Sequence, residues 1–227
     1  MNDATQEPVL LLIRGTLKDG ANHEAARKTH NATAGHPEGV KAAKALGDLS
    51  HKVYVPATSA LSGAKPAEFL ILDVWERPEG IQKFFSDAQV QQGGGVLFAQ
   101  RDPHVFMRAR GARTFNLPAP IGRDERYVGV IRGKVKSPES AVATFAGSLE
   151  KTINAARQRG QLSHDLYFKH EAPAADGSAE LLGVDLWTDL KGMEKHYQET
   201  METIGKVFAG PPSASIWTQP SGEWVEW

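Results

Sequence analysis

The 227-residue chain contains no cysteine, which excludes disulfides, thiolate metal sites, iron–sulfur clusters and cysteine nucleophiles together, and fits a reducing compartment. It carries no surplus charge of either sign: 26 Lys and Arg against 27 Asp and Glu give a formal net charge of -1. No basic stripe offers a nucleic-acid footprint, and the lysines around Lys41 and Lys44 read as a solvated helix face. The start, MNDATQEPV, lacks the basic region and long apolar core of a signal peptide. The longest apolar run there, residues 9–13, falls far short of a membrane span. A cytoplasmic protein with neither a nucleic-acid nor a membrane partner is the expectation. No G-x-G-x-x-G occurs, and Gly93-Gly94-Gly95 is not followed by Lys-Ser or Lys-Thr, so the triplet is not a phosphate loop. It reads as a turn before a strand, at the rim of a cavity.

What the chain does have is globular composition, 41% hydrophobic and 23% charged, and an internal repeat. Ile13-Arg14-Gly15 recurs as Ile131-Arg132-Gly133, an offset of 118 residues. Leu49-Ser50-His51 with Tyr54 recurs as Leu162-Ser163-His164 with Tyr167, an offset of 113. Leu72-Asp73-Val74-Trp75 recurs as Val184-Asp185-Leu186-Trp187, an offset of 112. The drop after the first match places about five extra residues in the first copy, where Gly35, Pro37 and Gly39 interrupt a helix.

Each copy has the same order of patterns. Residues 8–17 and 127–136 are β-branched and apolar, hence strands. Residues 20–47 and 138–159 carry apolar residues at helical spacing, with Ser137 as cap and Pro138 opening the second of these helices. Second strands fall at 51–55 and 164–169, and third strands at 69–75 and 181–187. Helices follow from Glu79 and Leu190, and fourth strands fall at 104–110 and 213–219. The order βαββαβ, twice, is the ferredoxin-like or split-βαβ unit. The fold class predicted is therefore α+β. The runs VLLLI, FLILDVW and LLGVDLW are apolar at nearly every position, as in a sheet covered on both faces. One copy is expected to cover the other in an intrachain dimeric α+β barrel. The boundaries are 1–111 for the first repeat, 112–126 for a linker containing Pro118, Pro120 and Gly122, and 127–227 for the second repeat. Two independent domains joined by that linker are the other arrangement.

Strand-Asp-x-Trp, a short polar turn and an amphipathic helix resemble the antibiotic biosynthesis monooxygenase (ABM) superfamily, within the dimeric α+β barrel proteins. That group often has a carboxylate two residues before the tryptophan and a histidine about nine after it. Asp185, Trp187 and His196 match in the second copy, whereas the first keeps Asp73 and Trp75 but has Phe84 at the histidine position. The resemblance implies a monooxygenase-like enzyme acting on an aromatic or polyketide-like substrate in a cavity between sheet and helices. Isomerases and cyclases occur on the same fold. Two departures qualify it. The asparagine that cofactor-independent members place four residues before the tryptophan is replaced by Ile71 and Gly183, and no histidine stands at the haem-ligand position of haem-degrading relatives, near Gln91–Gly95 and Ile204–Lys206. No cofactor and no metal are expected. The other functional reading is a non-catalytic ligand-binding or regulatory protein on the same fold.

Under the resemblance, His196, Asp185 and Trp187 are the candidate catalytic residues, with Trp75, Asp73, Arg132 and Tyr167 binding substrate. Alternate residues of a strand share a face, so each aspartate sits beside its tryptophan, and a His–Asp pair could move a proton near neutral pH. Against this, the tryptophans could be core anchors and the aspartates could pair with Arg14 and Arg132. His51 and His164 read as strand-end histidines bonded to backbone, or as part of a site. His23, Arg27 and His30 share a helical face. That face is solvated or, with His36, a divalent-metal site. Trp224 and Trp227 are expected to pack on the barrel or on another subunit. The partner implied is a small-molecule ligand, and a homodimer of single-chain barrels is an open expectation for assembly.

Overall fold

In a computed structural model, residues 7–116, 126–171 and 174–227 are described. The chain divides into two compact units, each built from one repeat plus a short segment from the other. Unit 1 comprises Met1–Pro56, Lys65–Met107 and Pro220–Trp227, and unit 2 comprises Ala57–Ala64 and Arg108–Gln219.

Unit 1 runs β1 (Val9–Leu17), α1 (His23–Ala32), α2 (Pro37–Ala45), β2 (Asp48–Pro56), β3 (Glu68–Trp75), α3 (Pro78–Phe85), α4 (Ala88–Leu97) and β4 (Phe98–Arg108). Its strands are antiparallel in the order β4-β1-β3-β2. The long helical pattern of residues 20–47 is indeed two helices. The Asn22 side chain accepts from Ala25 N at the start of α1, and Pro37 supplies the first turn of α2, where a missing N–H costs nothing.

Two expectations fail here. Gly93–Gly95 lie inside α4, not in a turn, and β4 begins at Phe98, not His104. Glycine is a poor helix former, but the bare faces of Gly93 and Gly94 let Thr33 and Arg101 approach the helix backbone, so tertiary packing overrides propensity.

Unit 2 runs β5 (Phe115–Asn116), β6 (Tyr127–Val135), α5 (Pro138–Gln158), β7 (Gln161–Lys169), β8 (Ala179–Trp187), α6 (Leu190–Gly205) and β9 (Ser213–Thr218). Its antiparallel order is β9-β6-β8-β7-β5. Ser137 caps α5 by accepting from Ser140 N at 3.2 Å, and Asp189 caps α6. Within the expected linker, residues 115–116 instead form β5 against β7. Residues 117–125, with Pro118, Pro120 and Gly122, lie outside the described residues.

Trp75 and Trp187 are both fully buried core anchors, Trp75 packed with Val9, Leu11 and Ile81, and Trp187 with Ala156, Met193 and Ile216. Burying a tryptophan removes about 150–250 Å² from water, which makes it a dominant local contribution. The segment Ala57–Ala64 joins unit 2 through Ala57 N to Ile216 O at 3.0 Å and Gly63 N to Ala214 O at 2.9 Å. The tail Pro220–Trp227 joins unit 1, where Trp227 exchanges backbone hydrogen bonds with His51 at 2.8 and 3.3 Å. Among the described residues, no helix is long and apolar enough to cross a membrane.

Candidate functional site

In unit 2 the antiparallel register sets His164 directly opposite Asp185, and Asp185 opposite Gly129. Residues opposed in this way share a face and lie within side-chain reach. His164 Nδ1 lies 2.7 Å from Asp185 Oδ1, and Tyr197, reaching down from α6, donates its hydroxyl to Asp185 Oδ2 at 2.9 Å. Gly129 makes the second bond possible, because a Cβ there would overlap the Tyr197 hydroxyl.

This His–Asp–Tyr cluster lines a cavity of about 70 Å³ between the sheet and helices α5 and α6. Phe145, Leu149, Ile204 and Ile216 supply much of its apolar wall, and Leu61 reaches it from the Ala57–Ala64 segment. Three buried polar atoms on the wall lack a hydrogen-bond partner among the described residues: His164 Nε2, His196 Nδ1 and Gln161 Oε1. An unsatisfied buried polar atom costs about 1–3 kcal/mol, and three residues of this one wall each carry such an atom.

Burial disfavours the imidazolium of His164, but the charge of Asp185 and its hydrogen bond outweigh burial, with Asp165 adding to them, and the pKa lies above the usual histidine value. His196 moves the other way, lowered chiefly by burial despite the charge of Asp185. Burial, with the Asp185 charge and hydrogen bond, raises the Tyr197 phenol well above its ordinary value, so it remains a donor. Neutral His164 with Nδ1–H on Asp185 leaves Nε2 with an unshared lone pair.

Unit 1 repeats the dyad but closes it. His51 Nδ1 lies 2.7 Å from Asp73 Oδ1, and His51 Nε2 lies 2.9 Å from His30 Nε2. Asn31 Oδ1 takes a hydrogen bond from Val225 N at 3.1 Å and faces His30 Nδ1 at 3.0 Å, which makes Nδ1 the donor. His30 Nε2 is then the acceptor and His51 the donor at both nitrogens. Burial depresses His30 to about 4, whereas the Asp73 charge outweighs burial and raises His51. The Trp227 ring stacks on His51 at 4.7 Å. Leu11 stands opposite Asp73 where unit 2 has Gly129, and Phe85 replaces Tyr197.

Of the residues expected from sequence, His196 and Asp185 line the unit 2 cavity and Asp73 lines the corresponding cavity of unit 1. The expected His196–Asp185 hydrogen bond is not made, since Asp185 bonds His164 and Tyr197. Trp187 packs under His196 at 5.3 Å and Trp75 packs on Phe84 at 5.6 Å, both in the core and off the cavity walls. Arg132 pairs with Glu180 and Arg14 with Glu68, so neither arginine is the partner of its copy's aspartate. Tyr167 lies off the cavity wall; its phenol is raised by burial and by the charge of Asp165.

The histidines read as bonded to backbone through their side chains bond carboxylates instead. His30 is not on a solvated face but buried, and His23 lies edge-on against Phe69. Among the described residues, no group of three or more His, Asp or Glu side chains is placed to hold a metal ion. Sequence reasoning missed Tyr197, Gln161 and Phe145. The signal for His164 was present, since both copies keep a histidine at the start of the strand that pairs with Asp-x-Trp.

No family model and no curated protein matches this sequence. Among solved structures, the chain is similar to an anthrone oxidase-like protein with a TM-score of 0.61 and 13% identity, covering 95% of this chain and 92% of that one. It is also similar to a candidate monooxygenase from Lactobacillus acidophilus NCFM, with a TM-score of 0.58 and 10% identity over 93% and 92% of the two chains. A variant of DypB from Rhodococcus jostii in complex with heme reaches a TM-score of 0.53 at 12% identity, over 95% and 94%. These likenesses establish the α+β fold across nearly the whole chain.

Proposed function

We propose that the protein is a monooxygenase-like small-molecule enzyme whose working site is the unit 2 cavity, with the His164–Asp185 dyad as proton acceptor. One observation carries the reading: His164 lines the cavity with its Nε2 buried and without a partner among the described residues, while Nδ1 is held by Asp185. A dyad oriented in this way is a general base, and the adjacent carboxylate stabilises the imidazolium that forms. The largely apolar wall suits an aromatic or polyketide-like compound, which the space of about 70 Å³ would admit only on parting of α5 and α6, and Gln161 and His196 supply polar contacts for its oxygens.

A compound of the anthrone type, named by one structural neighbour, fits this chemistry. Its ring methylene is acidic because the carbanion delocalises into the carbonyl as a phenolate. His164 takes the methylene proton, and dioxygen is the co-reactant. The methylene becomes a carbonyl, and dioxygen ends as one carbonyl oxygen and one water. The same reading takes the chain as an ABM-like, single-chain version of the dimeric α+β barrel, with a small molecule as its partner.

The test is oxygen uptake with anthrone, corrected for the spontaneous reaction. A general base is worth about 10²–10⁴-fold, so His164→Gln should lower kcat by about 100-fold or more. Turnover by that variant at the wild-type rate would remove the dyad from the mechanism.

A further inference from the structure

Unit 1 holds two adjoining cavities, of about 90 and about 390 Å³, that share Ile13, Phe85 and Arg101. Together they reach the size of a small-molecule site, for which about 300–1,000 Å³ is usual. Leu11, Ile13, Ile81, Phe85 and Val105 line the larger one, with Gln82 and Gln91 as polar members. No lysine lines either cavity, and Arg101 is the arginine on both. Among the described residues, its guanidinium makes one hydrogen bond, from Nη2 to the neutral Gln91 Oε1 at 3.1 Å, and no ion pair. Of the two carboxylates on the smaller cavity, Asp73 is paired with His51. The Nη1 end of the Arg101 head lies against Gly94 of α4, where any Cβ would displace it. A helix that tolerates three consecutive glycines, and so holds an arginine against an apolar wall without a counter-ion, presents a cation ready for a ligand.

We propose that unit 1 carries a separate binding site for a small organic acid with an apolar body. Its carboxylate lies on Arg101, and its body lies along Ile13, Phe85 and Val105. Among the described residues, four of the five guanidinium N–H donors are uncommitted, and a planar carboxylate can take two of them at once. This site is distinct from the unit 2 cavity and does not depend on the reaction proposed there.

The probes are 1-naphthoate and its neutral analogue 1-naphthylmethanol, titrated calorimetrically into the full chain. Wild type should bind the acid about tenfold or more tightly than the alcohol, the discrimination expected of a charge-assisted contact. Arg101→Met should abolish that preference. Gly94→Ala should abolish it too while raising Tm, because the added methyl pushes the guanidinium aside yet favours the helix. His164→Gln should leave it unchanged. Equal binding of acid and alcohol by wild type, no binding of either, or a preference lost in His164→Gln and kept in Arg101→Met would each overturn the proposal.

Discussion

The two copies carry the same His–Asp dyad and finish it in opposite ways. In unit 2, Gly129 leaves space for Tyr197 to bond Asp185, and the ring of Phe145 lies along His164 at 6.1 Å without reaching for Nε2. In unit 1, the space above Asp73 belongs to Leu11, His30 takes the Nε2 of His51, and Trp227 covers the ring. A chain of hydrogen bonds from Asp73 through His51, His30 and Asn31 to Glu223 O leaves no free lone pair on the dyad. Two similar halves in one chain can differ in this way, because each carries its own residues. One dyad is closed by its neighbours, and the other keeps a nitrogen without a partner among the described residues.

The largest effect should separate the two histidines. His164→Gln should lower turnover by about 100-fold or more, while His51→Gln should leave kcat near wild type and lower Tm instead. Equal losses of turnover in both would erase the distinction. As the proposed proton acceptor His164 works deprotonated, and its pKa is raised above the usual histidine value of 6.5, so the wild-type rate should climb with pH through a limb above that value. Asp185→Asn should move that limb to lower pH while lowering the plateau.

The tryptophans should show what the copies still share. Trp75→Ala and Trp187→Ala should each cost about 3–5 kcal/mol by denaturant unfolding, since both are fully buried anchors. A small cost at Trp187 alone would mean that its ring serves the cavity more than the core.

Acid should find the unit 1 joint first. His30 titrates near 4 when folded against a reference of 6.5. The unfolded chain therefore binds the extra proton between those values, and stability present above pH 6.5 is lost as pH falls toward 4. Relative to His30→Phe, wild type should lose about 2–3 kcal/mol over that window. Reading the difference between the two proteins is necessary, because Asp48, raised to about 7 by burial and by Asp73, acts in the opposite direction. A pH-independent difference would place His30 outside the buried chain.

The smallest effect concerns Tyr197. Tyr197→Phe should lower turnover about tenfold, the scale of one hydrogen bond to a charged carboxylate, with little change in Tm. Gly129→Leu combined with Tyr197→Phe imitates unit 1 and should recover more stability than activity compared with Gly129→Leu alone. Restored turnover in that double variant would show that the hydroxyl is dispensable.

Much of the architecture was legible in the residues because it rests on local signals. Apolar periodicity, the Ser137–Pro138 start and the thrice-matched repeat depend on neighbours a few positions apart, and they yield the order βαββαβ twice. Asp185 and His196, singled out by the same short motif, both line the unit 2 cavity. The partner of Asp185 was not legible, because it depends on which residue of β7 lies opposite β8. A bulge between Gln161 and Ser163 helps set that register. The glycine triplet was misread for the same reason, since helix propensity is local and the packing of Arg101 on Gly94 is not.

Residue patterns along the chain suffice for the internal repeat, the element order and the ingredients of a dyad in both copies. Which nitrogen is left without a partner depends on the packing. That choice turns on contacts between residues far apart in the chain, Gly129 with Tyr197, His30 with His51 and Trp227 with His51. Whether such side chains meet is set by strand register and by where the Pro220–Trp227 tail packs, and no local propensity encodes either.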